Sequence, residues 1–304
     1  MSDRSKLWLL NAIVTFSSIL IGLPLANTLA FILAPIALII LTVRYRYAFV
    51  VMPIIMAMSI AIVLYGAPVA LAYFYLVILP GVIMGYKARA FSTPRAIGLW
   101  GFAPFAILTV VIIALYSRMM AQSPAFIADF LNVLSDSAAQ MGIVGGQLDS
   151  LLEFWQKAME MMLRLLPGIV FTFAAAFVLF VYMGATSFAR HFGAVIPNMT
   201  PTYFWRISEL WLIPLGLSML LVLIGGESLR IAGENLLVFF IHFYAFFGIC
   251  LIDFYLSRLN IPTVARIIIY FVILIPGITI FLLALFGIID SRFDFRKLAF
   301  ENEN

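Results

Sequence analysis

The sequence predicts an all-α fold, a polytopic bundle of transmembrane helices. Apolar residues make up 65% of the 304-residue chain and charged residues 11%, which is about half the charged share of a typical soluble domain. The charges lie between long apolar stretches, and residues 7–43, 96–117 and 165–189 contain none. A bilayer crossing uses stretches of that length, whereas a soluble core does not. The lipid bilayer is therefore the first predicted partner.

Five helices are predicted in an N-terminal part, residues 1–117. A crossing needs about 20 mostly apolar residues, so the first apolar stretch is too long for one helix. It is divided at Gly22–Leu23–Pro24, where glycine and proline favour a turn, and Gly66 with Pro68 marks another break. The predicted helices cover about 7–22, 25–43, 47–65, 68–86 and 96–117.

Residues 118–163 are predicted to form a long outer loop that contains two amphipathic helices. Ser123–Pro124 is typical of a helix N-cap followed by a first-turn proline. Apolar residues then recur at helical spacing before and after the glycines at 142, 145 and 146. These helices would lie on the membrane surface or pack on the bundle as a lid. The few basic residues on their polar faces favour the lid.

Four more helices and a charged tail are predicted for the C-terminal part, residues 164–304. The helices cover about 165–188, 207–225, 234–257 and 264–289, and Pro276–Gly277 predicts a kink in the last of them. The best count is nine transmembrane helices, within a range of eight to ten. The tail contains acids, Asp290 among them, and three bases, Arg292, Arg296 and Lys297.

The basic residues predict a cytoplasmic N-terminus, because cytoplasmic loops of membrane proteins are enriched in Lys and Arg. In this orientation the inner loops hold eleven bases and the outer loops only four, Arg118, Lys157, Arg164 and Arg230. Nine helices would put the tail outside, whereas its bases favour the cytoplasm. Either the count is wrong by one or the tail acids offset the bias.

Three polar residues recur on one face of the eighth predicted helix. Asn235, His242 and Asp253 are seven and eleven residues apart, so they fall within about 20° of one another around a helix. Ionisable groups at membrane depth are costly and often functional. The stripe indicates either a polar ligand site facing the bundle interior or hydrogen-bonded braces between helices. For Asp253, an ion pair with Arg206, Arg258 or Arg266 is the leading explanation.

Small residues recur every four positions in two places. Ala26, Ala30 and Ala34 repeat on the second helix, and Gly81 and Gly85 lie at the end of the fourth. This spacing lets another helix approach closely. The approaching helix belongs either to the same chain or to a membrane protein partner.

Enzyme signatures are absent from the sequence. Two histidines, His191 and His242, do not make a zinc-binding HExxH helix. The single cysteine, Cys250, excludes an intramolecular disulfide. The formal charge of +4 is spread singly over helix ends and does not indicate nucleic-acid binding. We therefore expect no catalytic activity, no metal, no cofactor and no nucleic-acid partner.

Several motifs resemble the YybS-like family of bacterial polytopic membrane proteins over nearly the whole chain. They are Arg44–Tyr–Arg46, Pro80–Gly–Val–Ile–Met–Gly–Tyr–Lys–Ala–Arg89, the acidic loop, Trp205–Arg–Ile–Ser–Glu–Leu–Trp–Leu–Ile–Pro214, and Gly287–Ile–Ile–Asp290 with Asp294–Phe–Arg–Lys297. The last is the most specific. The resemblance implies a bacterial cytoplasmic membrane and no particular activity.

The N-terminal half is also similar to the S-components of energy-coupling-factor vitamin transporters and to the rod-shape protein MreD. In S-components a small-residue face docks on the coupling subunit, which is the part that Ala26, Ala30 and Ala34 would play. The leading hypothesis is thus a protein that binds or transports a small molecule. Its pocket would be lined by Asn11, Tyr73 and Tyr75 with His242. The competing hypothesis is an MreD-like scaffold for envelope or cytoplasmic partners, and a lipid-modifying enzyme is the third.

Overall fold

The computed structural model describes residues 2–274, 277–293 and 295–296, and its regular structure there is entirely helical. This confirms the predicted all-α bundle. The helices are α1 (Asp3–Leu20), α2 (Pro24–Arg44), α3 (Tyr47–Tyr65), α4 (Ala67–Tyr73), α5 (Leu79–Arg89), α6 (Pro94–Gln140), α7 (Gly146–Arg164), α8 (Leu166–Phe192), α9 (Leu212–Ile224), α10 (Glu227–Arg258), α11 (Thr263–Leu274) and α12 (Thr279–Phe293). A π-helical turn, Phe74–Ile78, joins α4 to α5.

The chain divides into two compact units. The first unit is Met1–Leu108 with Phe173–Met199, and the second is Thr109–Thr172 with Thr200–Asn304. Helices α6 and α8 each contribute residues to both. The division into parts 1–117, 118–163 and 164–304 remains a prediction.

In the first unit, α2 is the central helix. Six consecutive residues from Ile36 to Leu41 are buried on it, as expected for a helix that is apolar on all sides and enclosed by others. Its partners are α1 and α5. The predicted break between α1 and α2 is confirmed, because α1 ends at Leu20 and α2 begins at Pro24. The break at Gly66 is confirmed too, and its φ of +84° is one that glycine adopts without steric cost.

In the second unit, α10 packs on α12 and α9. The crossing with α12 is close because two glycines face backbone rather than side chains. A Cβ on Gly248 would collide with the carbonyl of Leu283, and one on Gly287 with the carbonyl of Tyr244. Tyr244, Ala245, Leu283 and Ala284 form the core of this crossing. The crossing holds the C-terminal parts of α10 and α12 together. These parts carry two buried carboxylates, Asp253 and Asp290.

The number of candidate membrane spans is lower than the nine crossings predicted. Within the described residues, six helices are long and apolar enough to cross a membrane, and a seventh crossing follows if α11 and α12 form one broken span. Helix α1 includes three charges in its first turns, Asp3, Arg4 and Lys6. The predicted crossing at 207–225 is realised as the shorter apolar helix Glu209–Ile224. These two account for the difference.

The break predicted at Ser123–Pro124 is wrong, because α6 continues through it for 47 residues. Proline inside a helix has no N–H for the carbonyl four residues earlier. Here that carbonyl belongs to Met120, and the Ser123 hydroxyl donates to it at 2.8 Å. The serine thus replaces the lost hydrogen bond. The first predicted amphipathic helix is the end of α6, and the second exists separately as α7.

The last predicted helix is two helices, α11 and α12, which are bent by 115° relative to each other. The kink was predicted at Pro276–Gly277. Pro276 lies outside the described residues, so the prediction is tested only by the helices that flank it.

Candidate functional site

The predicted pocket residues of the first unit each have a partner within that unit. Asn11 donates to the carbonyl of Leu7 on its own helix at 2.8 Å. Tyr73 is buried and its hydroxyl lies 2.5 Å from Ser17 Oγ, while the hydroxyl of Tyr75 donates to Pro104 at 2.7 Å. None of the three lines either of the two cavities described below.

The small residues of the first unit lie at close helix contacts within the chain. Ala30 and Ala34 are fully buried and Ala26 is half-buried. A Cβ on Gly81 would lie 2.9 Å from Pro35 Cα, and one on Gly85 would lie 2.6 Å from Thr42 Cβ. Helix α5 therefore packs on α2 through its glycines.

The polar stripe predicted on α10 does not form one site. Asn235 is half-buried, His242 is exposed and Asp253 is buried. The His242 ring contacts only the Val238 carbonyl of its own helix in the hydrogen bonds that the structure describes. The prediction that all three face an interior site is wrong for His242, because the partners of α10 cover only part of its circumference.

Asp253 forms an ion pair, as the sequence predicts. Of the three candidate arginines, its partner is Arg266. Arg266 Nη1 donates to Asp253 Oδ1 at 2.7 Å, the Tyr270 hydroxyl donates to the same oxygen at 2.5 Å, and Thr202 donates to Oδ2 at 3.0 Å. Both carboxylate oxygens have donors. The arrangement joins α10, α11 and the segment before α9.

A second buried ion pair lies in the same unit, and its acid, Asp290, belongs to the segment that the sequence predicts as a charged tail. Asp290 and Arg296 are each 1% exposed, and Arg296 Nη2 lies 2.6 Å from Asp290 Oδ2. Arg296 also donates to the carbonyl of Tyr203, and Arg206 donates to the carbonyls of Asp290 and Ser291. The Gly287–Asp290 motif thus holds the segment that precedes α9.

Two cavities in the second unit offer room for a ligand. The first has a volume of about 930 Å³ and lies among the end of α6, α7 and α10, within the size range of small-molecule sites. Its apolar lining residues include Ile127, Leu131, Leu237 and Ile241. Its polar lining residues include Gln156, Lys157, Glu160, Arg164 and Glu234. A lining of both kinds suits a molecule that is itself partly apolar and partly polar.

Glu234 forms ion pairs with two arginines at the first cavity. Arg164 binds both oxygens of its carboxylate, at 2.6 and 2.7 Å, and Arg230 adds a contact at 3.2 Å. At the rim, Lys157 donates to Glu153 at 2.6 Å. This hydrogen bond and the charge of Glu153 raise the pKa of Lys157. The same hydrogen bond and the charge of Lys157 lower the pKa of Glu153. The ammonium group therefore stays protonated at neutral pH.

The second cavity, of about 500 Å³, is almost entirely apolar. Its walls come from α6, α8 and α10, and its few polar groups are those of Thr109, Tyr116, Ser228 and Asn235. Asn235 crosses from α10 to the junction of α7 and α8. It accepts from the Gly168 N–H at 2.7 Å and donates to the Arg164 carbonyl at 3.0 Å. Asn235 therefore braces the wall of the cavity that it lines.

The model of a family described as predicted membrane protein, DUF2232, matches residues 11–291. The chain belongs to the DUF2232 family. The match includes every residue that lines the two cavities, as well as Asp253 and Asp290. The family description states a membrane protein and no activity, and the structure of this DUF2232 member agrees in being a multi-pass helical bundle.

Comparisons of this DUF2232 protein with curated proteins and with solved structures find no match. Among the described residues, no three His, Cys, Asp or Glu side chains come together in a way that could hold a metal ion. The lining of the first cavity provides apolar walls, the guanidinium group of Arg164, the ammonium group of Lys157 and the carboxylates of Glu160 and Glu234.

Replacing Asp253 by asparagine is expected to lower the free energy of unfolding by about 1.5–3 kcal/mol, because the bond to Arg266 loses its charge. Ligand affinity should stay unchanged, since Asp253 lines neither cavity. Thermal unfolding in detergent measures the first effect. His242→Asn is the matched control and should change stability by less than about 0.5 kcal/mol. Loss of binding without loss of stability would contradict the structural role of Asp253.

Proposed function

We propose that this DUF2232 protein binds an amphiphilic small molecule in the first cavity and takes part in its transport. The lining of the cavity, which combines apolar and charged residues, carries the proposal. An amphiphile would bury its apolar part against Ile127 and Leu131 and place its polar part beside Arg164 and Glu234. A wholly polar ligand would leave the apolar lining residues without a partner.

The position of the cavity supports a ligand that comes from the membrane. Its α10 side belongs to the candidate span Glu227–Arg258, whereas its α6 side begins after the candidate span Pro94–Tyr116 has ended. A site at the end of a span gives access both to hydrocarbon and to polar headgroups. Helix α7, with one apolar face and one charged face, suits such an interface.

The proposal also includes the orientation of the protein in the membrane and its part in transport. The excess of basic residues in the predicted inner loops supports a cytoplasmic N-terminus in a bacterial cytoplasmic membrane. With the five crossings that the sequence predicts before it, α1 included, α7 would lie on the outer side and act as the lid of the site. The YybS-like and S-component-like motifs are consistent with a binding component, and binding without catalysis is part of the proposal.

A scaffold of MreD type would recruit membrane partners through exposed small-residue faces. In the first unit these faces are used within the chain, since Gly81 and Gly85 contact α2 and both Ala30 and Ala34 are buried. No observation of the described residues favours the scaffold over binding.

The proposal is tested by native mass spectrometry of protein gently extracted from its own membrane. We expect a small amphiphile to co-purify in stoichiometric ratio. Ala128→Trp should lower its occupancy about tenfold, because Ala128 lines the first cavity and the indole would take up part of the space that the ligand needs.

Ala125→Trp is the matched control, because Ala125 is also an exposed alanine of α6 but does not line the cavity. Equal loss in both variants would point to a general effect on α6. A bare subunit, or a subunit that carries another protein in place of a small molecule, would overturn the proposal.

A further inference from the structure

The second cavity differs from the first in that candidate membrane spans alone form its walls. Thr109, Ile113 and Tyr116 belong to the span Pro94–Tyr116, and Phe171 belongs to Leu166–Phe192. Ile231 and Phe239 belong to Glu227–Arg258. A cavity enclosed by spans lies at the depth of the lipid chains, and its natural occupant is hydrocarbon.

The two cavities lie next to each other. On α6, Tyr116 lines the second cavity and Met120, one turn later, lines the first. On α10 they lie on neighbouring faces of the helix, since Glu234 and Leu237 line the first and Asn235 and Phe239 line the second. The Arg164–Glu234 pair is therefore close to the apolar cavity, as the headgroup of a lipid is close to the start of its chains.

The charges of the first cavity indicate which headgroup fits. Four charged side chains line it, and both signs are present: Lys157 and Arg164 are cations, Glu160 and Glu234 are anions. A headgroup with one charge of each sign matches this wall. The Arg164 guanidinium binds Glu234 through Nε and Nη2, and its remaining N–H groups can donate to phosphate oxygens. The Glu160 carboxylate is an acceptor for an ammonium group.

One polar atom at the boundary supports the same orientation. The Tyr116 hydroxyl is buried and has no hydrogen-bond partner among the described residues. A buried donor without an acceptor is costly. An ester carbonyl of a lipid, between the chain in the second cavity and the headgroup in the first, would accept this hydrogen bond.

We infer that the ligand is a long-chain phospholipid with a zwitterionic headgroup, held with its phosphate at Arg164, its ammonium at Glu160 and a chain in the second cavity. The inference rests on the proposed function and adds the class of ligand. It also gives the second cavity a role, which the proposed function does not need.

The test uses the full-length protein, delipidated in detergent and titrated with defined lipids under native mass spectrometry. Dioleoyl phosphatidylethanolamine should bind one per chain and about tenfold tighter than its dihexanoyl analogue, dioleoyl phosphatidylglycerol or dioleoyl glycerol. Equal binding of the dihexanoyl lipid would overturn the role of the second cavity. Equal binding of the other two would overturn the zwitterionic headgroup.

Two variants test where the lipid chain binds. Ala232→Trp places an indole ring in the second cavity and should remove the preference for the dioleoyl lipid. Leu229→Trp, on the same helix but outside the cavity, should keep that preference. Tyr116→Phe, a change too small to disturb folding, should weaken binding about fivefold through the lost hydrogen bond. Unchanged affinity in Ala232→Trp and Tyr116→Phe would overturn the inference. If Ala128→Trp still abolished binding in that case, the proposed function would stand alone.

Discussion

Replacing Asp290 by alanine is expected to lower the free energy of unfolding by about 3–5 kcal/mol, because it leaves the guanidinium of Arg296 buried without its carboxylate. The side chains of Arg296 and Asp290 are only 0% and 2% exposed, so water cannot replace the lost partner. The segment before α9 should loosen as well, since Arg296 also binds the Tyr203 carbonyl. Denaturant unfolding in detergent, followed by tryptophan fluorescence, measures the change.

Glu209→Ala is the control for this prediction. Glu209 pairs with Arg292 across the same two segments, but the two side chains are 53% and 65% exposed. An exposed pair contributes about 0–1 kcal/mol. The double variant Asp290→Leu with Arg296→Met should be more stable than Asp290→Ala, because it removes both buried charges. A double variant as unstable as the single one would show that the ion pair is not the cause.

Gly248→Ala is expected to destabilise the second unit by more than about 2 kcal/mol, through steric overlap at the closest helix crossing. The added Cβ would collide with the Leu283 carbonyl, and a backbone atom cannot move away as a flexible side chain would. Helices α10 and α12 must then separate. Thermal unfolding in detergent is the measurement.

Gly216→Ala provides the comparison, because Gly216 lies within α9 and a Cβ there would meet nothing within 4 Å. Alanine favours the helix by up to about 1 kcal/mol over glycine, so this variant should be as stable as the parent or more so. If Gly248→Ala were equally well tolerated, the close crossing of α10 and α12 would be wrong.

The turns of the fold could be predicted where local chemistry decides them. Gly22–Leu23–Pro24 separates α1 from α2, and Gly66 separates α3 from α4. Proline fixes its own backbone angle and lacks an N–H, while glycine permits turn conformations that other residues avoid, whatever surrounds them. Ser123–Pro124 carries the same kind of signal, yet α6 continues through it. There a single hydroxyl bond to Met120 restores the helix, and a sequence pattern does not reveal such a bond.

The site was predicted only in part. For Asp253 the sequence narrowed the partner to three arginines, and packing selected Arg266. The sequence predicts Asp290 in the charged tail because it follows the last apolar stretch, whereas the structure buries it. The signal that could have placed it inside was its motif, in which Gly287 precedes it by three residues and so faces the same side of the helix.

By itself the sequence determined that this protein is a multi-pass helical membrane protein, since an apolar excess of this size has no other place to be buried. It also determined most of the helical segments, because spacing and turn residues act over a few positions, although α6 continues through the break predicted at Ser123–Pro124. Only the tertiary structure decided which polar groups meet. Arg164 and Glu234 are 70 residues apart in the sequence and form an ion pair. His242 and Asp253 share a helix, but His242 is exposed and Asp253 is buried in an ion pair with Arg266. Contacts of this kind depend on how helices pack, and packing depends on shape across the whole chain.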